Sequence, residues 1–574
     1  MSRIPGDEYI RRYGPTTGDA LRLADTDLWV RVEEDRVGYG DEPMWGYAKN
    51  FRSRMAQHDR ATSESELDML IAGALVIDPL LGVVKTNIGV KDGRIAGIGR
   101  AGSPDVMDGV ELVIGPNTWP VNAYGLIATA GAIDSHVHLV TPRLVPVALS
   151  AGVTTLITAG FEEPPYTMDK TFRSFEGLPV NLGLQASART DVPGHVERTI
   201  EAGACGLKIH EDWGSYPEIV DATLRLADAH DVAVCLHTDG LNESCELEDT
   251  VAAIGGRAVH AYHVEGAGGG HIPDLIGIVR EPNVVCSSTT PTIPYGSAAA
   301  AEHLAMIMAV HGGSEDVLED VEAAAERVHP ATMAAEGPLH ELGAISIVNS
   351  DSQGMGRIGE TIRRTWQLAH VMKLWRAGEA GAGRPEAPAV RRIRPASPRA
   401  DDDNERVLRY LAKYTVEPAI AHGVSGEVGS LAPGRLADIV LWRPARFGVR
   451  PELVIKAGQY AWAAAGPGNA AVEWTEPRRY GPHWGAVGAA PAALGTTFVS
   501  RAALEAGVRE RLRSARRFVA VEGTREVRRG HLVANRAVPA IDVDPGDGTV
   551  TLDGRVLAVD PVTEVPLSRR YLLA

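Results

Sequence analysis

The hydrophobic positions of residues 67–131 follow the short, interrupted pattern of a β-rich segment. Apolar runs such as LDMLIAGALVID and VVKTNIGV are separated by glycine, proline and Asp-Gly, which are typical of turns between strands. The same pattern returns further along the chain in GSLAPGRLADIVLWRP and ELVIKAGQYAWAAAG. Because the two β segments flank a long central region, they predict one smaller β-sandwich-like domain built from N- and C-terminal parts of the chain.

The central region alternates between short apolar runs and helix-like stretches. Each apolar run ends in polar residues or glycine, and the runs are GVTTLITAG, LPVNLGLQAS, ACGLKIHED, VAVCLHTDG, AVHAYHVEG, NVVCSST and AISIVNSDS. Helix-like stretches such as HVERTIEAG and YPEIVDATLRLADAHD lie between several of them. Strands that alternate with helices predict a parallel sheet, and about 280 residues suit an α/β fold of the (β/α)8 TIM-barrel type. Such a barrel has its active site at the C-terminal ends of its strands.

These patterns divide the chain into four predicted segments. Residues 1–131 form the N-terminal β-rich segment, and residues 132–415 form the catalytic barrel. The β domain resumes over residues 416–480, and an α/β tail occupies residues 481–574. Residues 377–406 are rich in alanine, proline, glycine and charged residues, which predicts an exposed insertion within the barrel segment.

The composition of the chain limits its possible binding partners and its cellular compartment. The formal net charge of −17 argues against nucleic acid and anionic membranes as partners, because phosphate groups require clustered lysine and arginine. The four cysteines show no paired spacing, which favours a reducing compartment. We see neither a signal-peptide pattern nor a run of about 18 apolar residues. The sequence therefore predicts a cytoplasmic protein without a membrane span.

Histidines concentrate near the predicted strand ends, and 11 of the 18 lie between His136 and His311. In GAIDSHVHLV, His136 and His138 are two positions apart, so both imidazoles point to the same face of a strand. Two nitrogen donors at the mouth of a barrel make a metal chelate. Two unrelated histidines on a surface strand would give the same pattern.

Lys208 and His210 repeat this spacing in GLKIHED. An ammonium group repels metal ions, but a neutral lysine amine that has captured CO2 becomes a carbamate, which is anionic and able to bridge two ions. The alternative is a solvated lysine at a strand end.

The next three predicted strands continue the series of candidate ligands. His237 ends VAVCLHTDG, His263 ends the strand of AVHAYHVEG, and Asp351 closes AISIVNSDS. His260 has the opposite strand parity to His263, so we interpret it as a core residue or a support behind the ligands. Nitrogen and oxygen ligands suit Zn, Ni, Fe or Co. The glycines of residues 266–270 lack the lysine and hydroxyl of a phosphate loop, and they predict a close backbone approach to a small substrate.

Several long motifs resemble those of the catalytic α subunit of urease. They are YGPTTGDALRLADTDLWVRVE, GLKIHEDWG, LNESCELEDT, HVEGAGGGHIPD, NSDSQGMGRIGETIRRTWQLAHVMK and SRRYLLA, and the likeness extends from Tyr13 to Ala574. Urease α subunits are metal-dependent amidohydrolases with a (β/α)8 barrel and a β domain built from both chain ends. The resemblance therefore implies the same fold that the hydrophobic pattern predicts.

The resemblance also implies a centre of two Ni²⁺ ions per subunit and assigns its residues. One ion would be bound by His136, His138 and Asp351, the other by His237 and His263, and carbamylated Lys208 (N6-carboxylysine) would bridge them. His210 would hydrogen-bond the urea oxygen, and Gly268 would lie against the substrate. His311, on a mobile helical flap, would act as general acid, with Asp212 and Arg327 holding it in place.

The activity that the resemblance implies is hydrolysis of urea to ammonia and carbamate by a metal-activated hydroxide. The implied partners are the smaller urease β and γ subunits, in a trimer of heterotrimers, and the accessory proteins that insert nickel.

The chain departs from the family pattern in three places. Val310 stands where the family has a cysteine, FEEPPYTM replaces a longer loop rich in glycine and threonine, and MWGYAKN replaces a glycine triplet. These departures favour, as an alternative, an amidohydrolase that acts on another amide, ureide or guanidine. A further alternative is a non-catalytic, urease-like assembly partner, which the loss of a metal ligand would favour. No ligand position is lost.

Overall fold

The computed structural model describes residues 4–45, 49–160, 164–211, 215–239, 245–268, 270–378, 393–394, 402–465 and 479–568. Among the predicted features, Asp212, most of the 377–406 insertion and nearly all of the SRRYLLA motif lie outside these residues.

The described residues form a mixed α/β fold in which strands are short and numerous. The strands before the central region are β1 Ala20–Arg22, β2 Trp29–Arg31, β3 Glu34–Asp35, β4 Met44–Trp45, β5 Asn50–Phe51, β6 Met69–Asp78, β7 Gly82–Lys91, β8 Arg94–Gly99, β9 Ala101–Gly102, β10 Leu112–Val113, β11 Trp119–Asn122 and β12 Ile127–Ala130. The central strands are β13 Ala132–Val137, β14 Val153–Thr158, β15 Asn181–Gly183, β16 Gln185–Ser187, β17 Gly206–His210, β18 Ala233–His237, β19 Val259–Tyr262, β20 Val284–Thr289 and β21 Ile347–Asn349. The remaining strands are β22 Ile393–Arg394, β23 Ile439–Trp442, β24 Leu453–Lys456, β25 Gln459–Ala465, β26 Arg479–Pro482, β27 Thr496–Val499, β28 Arg517–Ala520, β29 Ile541–Val543, β30 Val550–Leu552 and β31 Arg555–Val556.

Helices occupy the connections between most of the central strands. They are α1 Gly6–Tyr13, α2 Leu144–Ala151, α3 Pro165–Ser174, α4 Pro193–Ala202, α5 Pro217–His230, α6 Leu247–Ile254, α7 Ala299–His311, α8 Leu318–Ala325, α9 Pro330–Leu342, α10 Thr361–Arg376, α11 Asn404–Ala412, α12 Val416–Ala421, α13 Ala490–Leu494, α14 Arg501–Glu505 and α15 Val508–Leu512. In the part of the chain that the structure describes, none of these helices has the length and apolar character needed to cross a membrane.

Two distant chain segments build a separate sheet. Its strands follow the order β26-β25-β24-β23-β12-β6-β7-β3, with β11 and β8 pairing beside β6 and β7. Strands β12 and β23 join the two segments in antiparallel register, with Ile127 opposite Trp442. Every residue of β6 is buried, because this strand lies in the middle of the sheet and packs on both faces.

The central strands form a continuous parallel series. Strands β13, β14 and β15 pair in this order, and β16 to β21 pair each with the next. Leu184 alone separates β15 from β16, so the chain passes directly from one group to the other. An isolated parallel bridge between Val137 and Ser352 connects the first strand of the series with the segment that follows the last. Each of the seven apolar runs predicted as strands contains at least one of these strands, and LPVNLGLQAS contains both β15 and β16.

The predicted C-terminal tail extends the parallel series. Strand β27 pairs with β15, and β28 pairs with β27, both in parallel. The buried side chain of Arg516 fixes this junction, because its guanidinium group donates hydrogen bonds to the carbonyl oxygens of Phe175, Val180 and Thr496.

The end of the predicted 377–406 insertion is not exposed. Asp403 and Asn404 are buried at the start of α11. The Asp403 carboxylate accepts hydrogen bonds from the Trp29 backbone N–H, at 2.8 Å, and from Lys373 Nζ, at 2.9 Å. The charged residues of the segment predicted solvent exposure, which is wrong for Asp403 and Asn404. The contacts with distant parts of the chain compensate the charge of the buried Asp403 carboxylate.

Candidate metal centre

The predicted metal ligands lie at one edge of the parallel series. Each belongs to the C-terminal end of a strand or to the residues just after it, and the positions are His136 and His138 for β13, Lys208 and His210 for β17, His237 for β18, His263 for β19 and Asp351 for β21. Because the strands are parallel, their C-terminal ends meet on the same side. The structure therefore brings these residues together, although they are far apart in sequence.

The first group consists of His136, His138 and Asp351, whose ligand atoms all lie within 4.8 Å of one another. Asp351 Oδ1 lies 3.2 Å from His136 Nε2 and 3.1 Å from His138 Nε2. His136 and Asp351 are buried, whereas the His138 side chain is 41% exposed. The group is thus anchored in the interior and open to solvent on the His138 side.

Four further ring contacts extend this group into an arc of five imidazoles. The ring centroids are 5.7 Å apart for His138 and His136, and 5.5 Å apart for His136 and His263. His263 and His237 follow at 4.4 Å, and His237 stacks on His210 at 3.6 Å. We call these five residues the histidine arc.

Lys208 lies among the residues of the histidine arc and is only 2% exposed. Its Nζ atom is 4.0 Å from the ring centroid of Tyr262, and that ring stacks on His136 at 4.1 Å. The charge of Lys208 contributes, after burial and nearer groups, to a lower pKa for His136, His237 and His263. Lys208 is therefore close enough to influence the protonation of histidines along most of the histidine arc.

Burial sets the protonation states that a metal ion requires. It lowers the pKa of His136 to about 4 and holds the pKa of His237 and of His263 well below the usual range, so all three imidazoles are neutral. Burial alone would raise the pKa of Asp351, but the nearby His136 and His138 outweigh it and hold this pKa well below its usual range. Neutral imidazoles and an ionised carboxylate are the ligand forms of these side chains.

The donor atoms also fit a divalent cation. His237 Nε2 and His263 Nδ1 are buried and have no hydrogen-bond partner among the described residues. A buried polar atom without a partner costs about 1–3 kcal/mol, and a bound ion would remove part of that cost. Nitrogen and oxygen donors suit Zn, Ni, Fe or Co.

Glycines allow the backbone to pack directly on the ligand side chains. A Cβ atom on Gly268 would lie 2.8 Å from His237 Cε1 and still closer to the His263 ring. One on Gly354 would lie 2.9 Å from His138 Cδ2. Gly268 is therefore required for space beside the imidazoles, and its contact with substrate stays a prediction.

Backbone conformation redirects two of the predicted ligands. His263 has φ of 33° and Asp351 has φ of 56°, and both values lie in the left-handed region that side chains rarely adopt. His263 thus leaves the strand alternation just beyond β19, while His260 and Tyr262 occupy the strand itself. As predicted for a core residue, His260 is buried, and its Nδ1 atom lies 3.1 Å from His422 Nε2.

The predicted flap residues lie outside the histidine arc. His311 ends α7, is exposed, and places Nδ1 2.9 Å from the Ile307 carbonyl oxygen. Residues Ile307 and Met308 of α7 pack in one hydrophobic cluster with Met355, which follows the Asp351 turn. Arg327 places its guanidinium group 3.7 Å from the Asp239 carboxylate. The roles of these residues stay predictions.

Sequence reasoning missed two buried carboxylates that support the site. Asp134 accepts hydrogen bonds from the backbone N–H groups of His136, at 3.2 Å, and Ser350, at 3.0 Å, and burial raises its pKa to about 6. Glu211 accepts hydrogen bonds from the Asp239 N–H group, at 2.7 Å, and from Thr250 Oγ1, at 2.8 Å. The sequence did contain a signal for Asp134, because this residue lies two positions before His136, just as His136 lies two positions before His138.

Comparison with known families agrees with this site. Residues 127–461 match the amidohydrolase family, and the chain belongs to this family, whose members are hydrolases that usually bind a metal. Residues 2–121 match the N-terminal domain of the urease alpha-subunit. The predicted resemblance is thereby confirmed: this is a urease-alpha-like amidohydrolase.

Several solved structures are similar over much of the chain. A D-hydantoinase has 14% identity, with 69% of this chain and 95% of that chain covered at a TM-score of 0.45. A dihydropyrimidinase from Brevibacillus agri NCHU1002 has 13% identity, with 68% and 94% covered at 0.48. A D-hydantoinase from Thermus sp. has 16% identity, with 68% and 95% covered at 0.48. Identities and TM-scores this low carry no argument about substrate or mechanism.

Proposed function

We propose that this chain hydrolyses a C–N bond of urea or a urea-like amide, using two divalent metal ions at the mouth of a (β/α)8 barrel. The observation that carries this proposal is the histidine arc, with Lys208 and Asp351, at one end of the parallel strand series. The bridge between Val137 and Ser352 supports closure of that series into a barrel. Nickel and urea are the proposed metal and substrate, because the N-terminal match is to the urease alpha-subunit.

The ligands divide into two sets around Lys208. His136, His138 and Asp351 would hold one ion, and His237 and His263 would hold the other. The Lys208 ammonium group would first lose one proton to water. The neutral amine would then attack CO2, form an N–C bond and lose a second proton to water, so that an anionic carbamate replaces a buried cation. This change suits the position of Lys208, because a carbamate there would attract both ions and an ammonium group would repel them.

The reaction then depends on groups of the chain. When bound, the ions would polarise the carbonyl group and lower the pKa of water from about 15.7 toward roughly 7. His210, stacked on His237, would donate a hydrogen bond to the carbonyl oxygen of the substrate. His311 would give a proton to the departing amine. Its Nδ1–H group donates to the Ile307 carbonyl, which directs Nε2 outward for that transfer.

As a urease-like α chain, the protein would work in the cytoplasm within a larger assembly. Its partners would be smaller β and γ subunits in a trimer of heterotrimers, together with accessory proteins that insert nickel. Neither nucleic acid nor a membrane is part of this proposal. Four segments, 1–131, 132–415, 416–480 and 481–574, would form the composite β domain, the barrel and the tail.

A second candidate function is hydrolysis of a larger amide or ureide. One observation favours it: a cavity lies where α3 begins, and it is lined by Pro165 and Tyr166 of FEEPPYTM, the segment that stands in place of the family's longer loop. Urea alone would leave such a space unfilled.

The test is to load the full chain with nickel and carbonate, measure metal per chain by mass spectrometry, and follow ammonia release from urea. Lys208→Met should fold but bind markedly less metal and release no ammonia. Lys85→Met is the matched control, because Lys85 is equally buried but lies in β7, in the separate sheet. Wild-type metal content in Lys208→Met would overturn the bridging role. A metal-loaded wild type that releases no ammonia from urea would favour the second candidate.

A further inference from the structure

A cavity of about 560 Å³ is lined by residues at the start of α3, the end of β16 and the start of α4. Its volume falls within the roughly 300–1,000 Å³ that is typical of small-molecule sites. Its lining includes Tyr166 of α3, Ser187 at the end of β16, and the residues Arg189, His195 and Arg198. We call this space the α3–α4 cavity, because the first turns of both helices contribute to it.

Ser187 connects the α3–α4 cavity with the metal centre. Strands β16 and β17 place Ser187 directly opposite Lys208 in parallel register, so the two side chains point to the same face. A Cβ atom on Gly160 would lie 2.8 Å from Lys208 Cγ and 3.5 Å from Ser187 Oγ. The hydroxyl oxygen of Ser187 is buried and has no hydrogen-bond partner among the described residues. Ser187, which lines the cavity, is thus the strand neighbour of Lys208.

The lining of the α3–α4 cavity is cationic in a chain whose net charge is −17. Arg198 lines it, and none of its described lining residues carries a carboxylate. His195 Nδ1 lies 3.2 Å from a guanidinium nitrogen of Arg198, which restrains that side chain. The Asp169 carboxylate of α3 accepts a hydrogen bond from Arg511 at 2.9 Å. The N-terminal ends of α3 and α4 add partial positive charge to this local field.

Tyr166 gives the cavity one aromatic wall. Its side chain is 72% exposed, and Lys170 Nζ lies 4.0 Å from its ring centroid. The lysine therefore adds a further positive charge close to the ring. An exposed ring beside several cations suits a ligand with an apolar segment and an anionic end.

We propose that the α3–α4 cavity binds a carboxylate substituent of the substrate, so that the substrate class is a carboxylate-bearing ureide or amide. This inference rests on the proposed function, because the scissile C–N bond would lie at the metal centre. Guanidinium groups pair with carboxylates through two parallel hydrogen bonds, which gives both affinity and orientation. A neutral, apolar substituent of the same size in place of the carboxylate could not accept these two hydrogen bonds.

Binding provides the first test, with two probes that differ in charge. N-carbamoylglycine carries a carboxylate, and N-propylurea is a neutral ureide of similar size. Calorimetric titration of the metal-loaded full chain should show at least about tenfold tighter binding of N-carbamoylglycine, a difference of one charge-assisted hydrogen bond or more. The preference should fall as salt increases, and Arg198→Glu should abolish it. Arg225→Glu, an exposed change on α5, is the matched control and should retain it.

Hydrolysis separates failure of this inference from failure of the proposed function. Ammonia release from urea together with equal binding of the two probes would overturn the inference and leave the proposed function standing. Preferential binding of N-carbamoylglycine that depends on Arg198, with no hydrolysis of urea or either probe, would support the binding site and overturn the proposed function. A kcat/KM for N-carbamoylglycine that exceeds the value for N-propylurea, and that loses this excess in Arg198→Glu, would support both.

Discussion

His136 Nε2 lies 3.2 Å from Asp351 Oδ1, although His136 lies in the first strand of the central series and Asp351 follows the last. The backbone reinforces this contact, because the Asp351 N–H group donates to the His136 carbonyl oxygen at 2.9 Å. The contact requires the first and last strands of the central series to lie close together. A substitution of His136 or Asp351 therefore tests both the candidate metal centre and this arrangement of strands.

The first prediction concerns Asp351→Asn, which keeps the shape of the side chain and removes its charge. We expect the variant to lose one of the two metal ions preferentially, because Asp351 is assigned to a single ion. Metal per chain, measured by mass spectrometry after dialysis, gives the answer. His303→Gln serves as control, since His303 is buried in α7 and its Nε2 atom faces the Ala267 carbonyl instead of the arc. Equal loss of both ions in Asp351→Asn would contradict the assignment.

The second prediction concerns His311→Ala. Removal of a general acid typically lowers the rate by about 10²–10⁴-fold, so kcat should fall by that order while metal content stays at the wild-type level. Metal content should not change, because His311 is exposed at the end of α7 and lies outside the histidine arc. Steady-state kinetics and metal analysis on the same preparation decide it. A variant that is emptied of metal would show that His311 is a ligand instead of an acid.

The third prediction concerns Gly268→Ala. The added methyl group would overlap the imidazoles of His263 and His237, so one ring or the loop must shift. Displaced ligands typically weaken metal affinity by about 10–100-fold, which competition with a chelator would measure. Gly177→Ala is the control, because a Cβ atom there meets nothing within 4 Å. An unchanged metal affinity in Gly268→Ala would contradict this prediction, because it would mean that the loop at residue 268 moves without displacing the imidazoles.

The fourth prediction concerns the pH dependence of stability through His370. Its Nδ1 atom accepts a hydrogen bond from the Asp27 N–H group at 3.0 Å, and burial lowers its pKa to about 4. The unfolded state, with a pKa near 6.5, therefore binds more protons between these values, and stability falls as pH decreases from about 6.5 to 4. Over this pH interval, the shifted pKa of His370 lowers the free energy of unfolding by about 3 kcal/mol in total. Denaturant titrations at pH 7 and pH 4.5 should show a smaller decrease for His370→Gln than for the wild type.

A second variant checks this interpretation. Burial also lowers the pKa of His303 to about 4, so His303→Gln should reduce the pH dependence in the same direction. If both variants lost as much stability as the wild type on acidification, the two histidines would not be the groups that take up protons on unfolding.

The sequence by itself determined the order of the predicted ligands and the identity of the strands that carry them. Periodicity of apolar residues is a local property, so β17 and β18 were predictable from GLKIHED and VAVCLHTDG alone. The spacing of His136 and His138 likewise fixed a shared face, because side chains alternate along a strand. The motifs around them were specific enough to indicate the family.

The tertiary structure alone decided how these residues meet and what surrounds them. The positive φ angles of His263 and Asp351 redirect both side chains beyond their strands, and no local pattern encodes such a conformation. Stacking of Tyr262 on His136 and the burial of Asp403 depend on segments that are distant in sequence. The α3–α4 cavity arises in the same way, because its charge comes from side chains that only the packing of two helices brings together. Local sequence sets the elements, whereas long-range packing sets the distances on which chemistry depends.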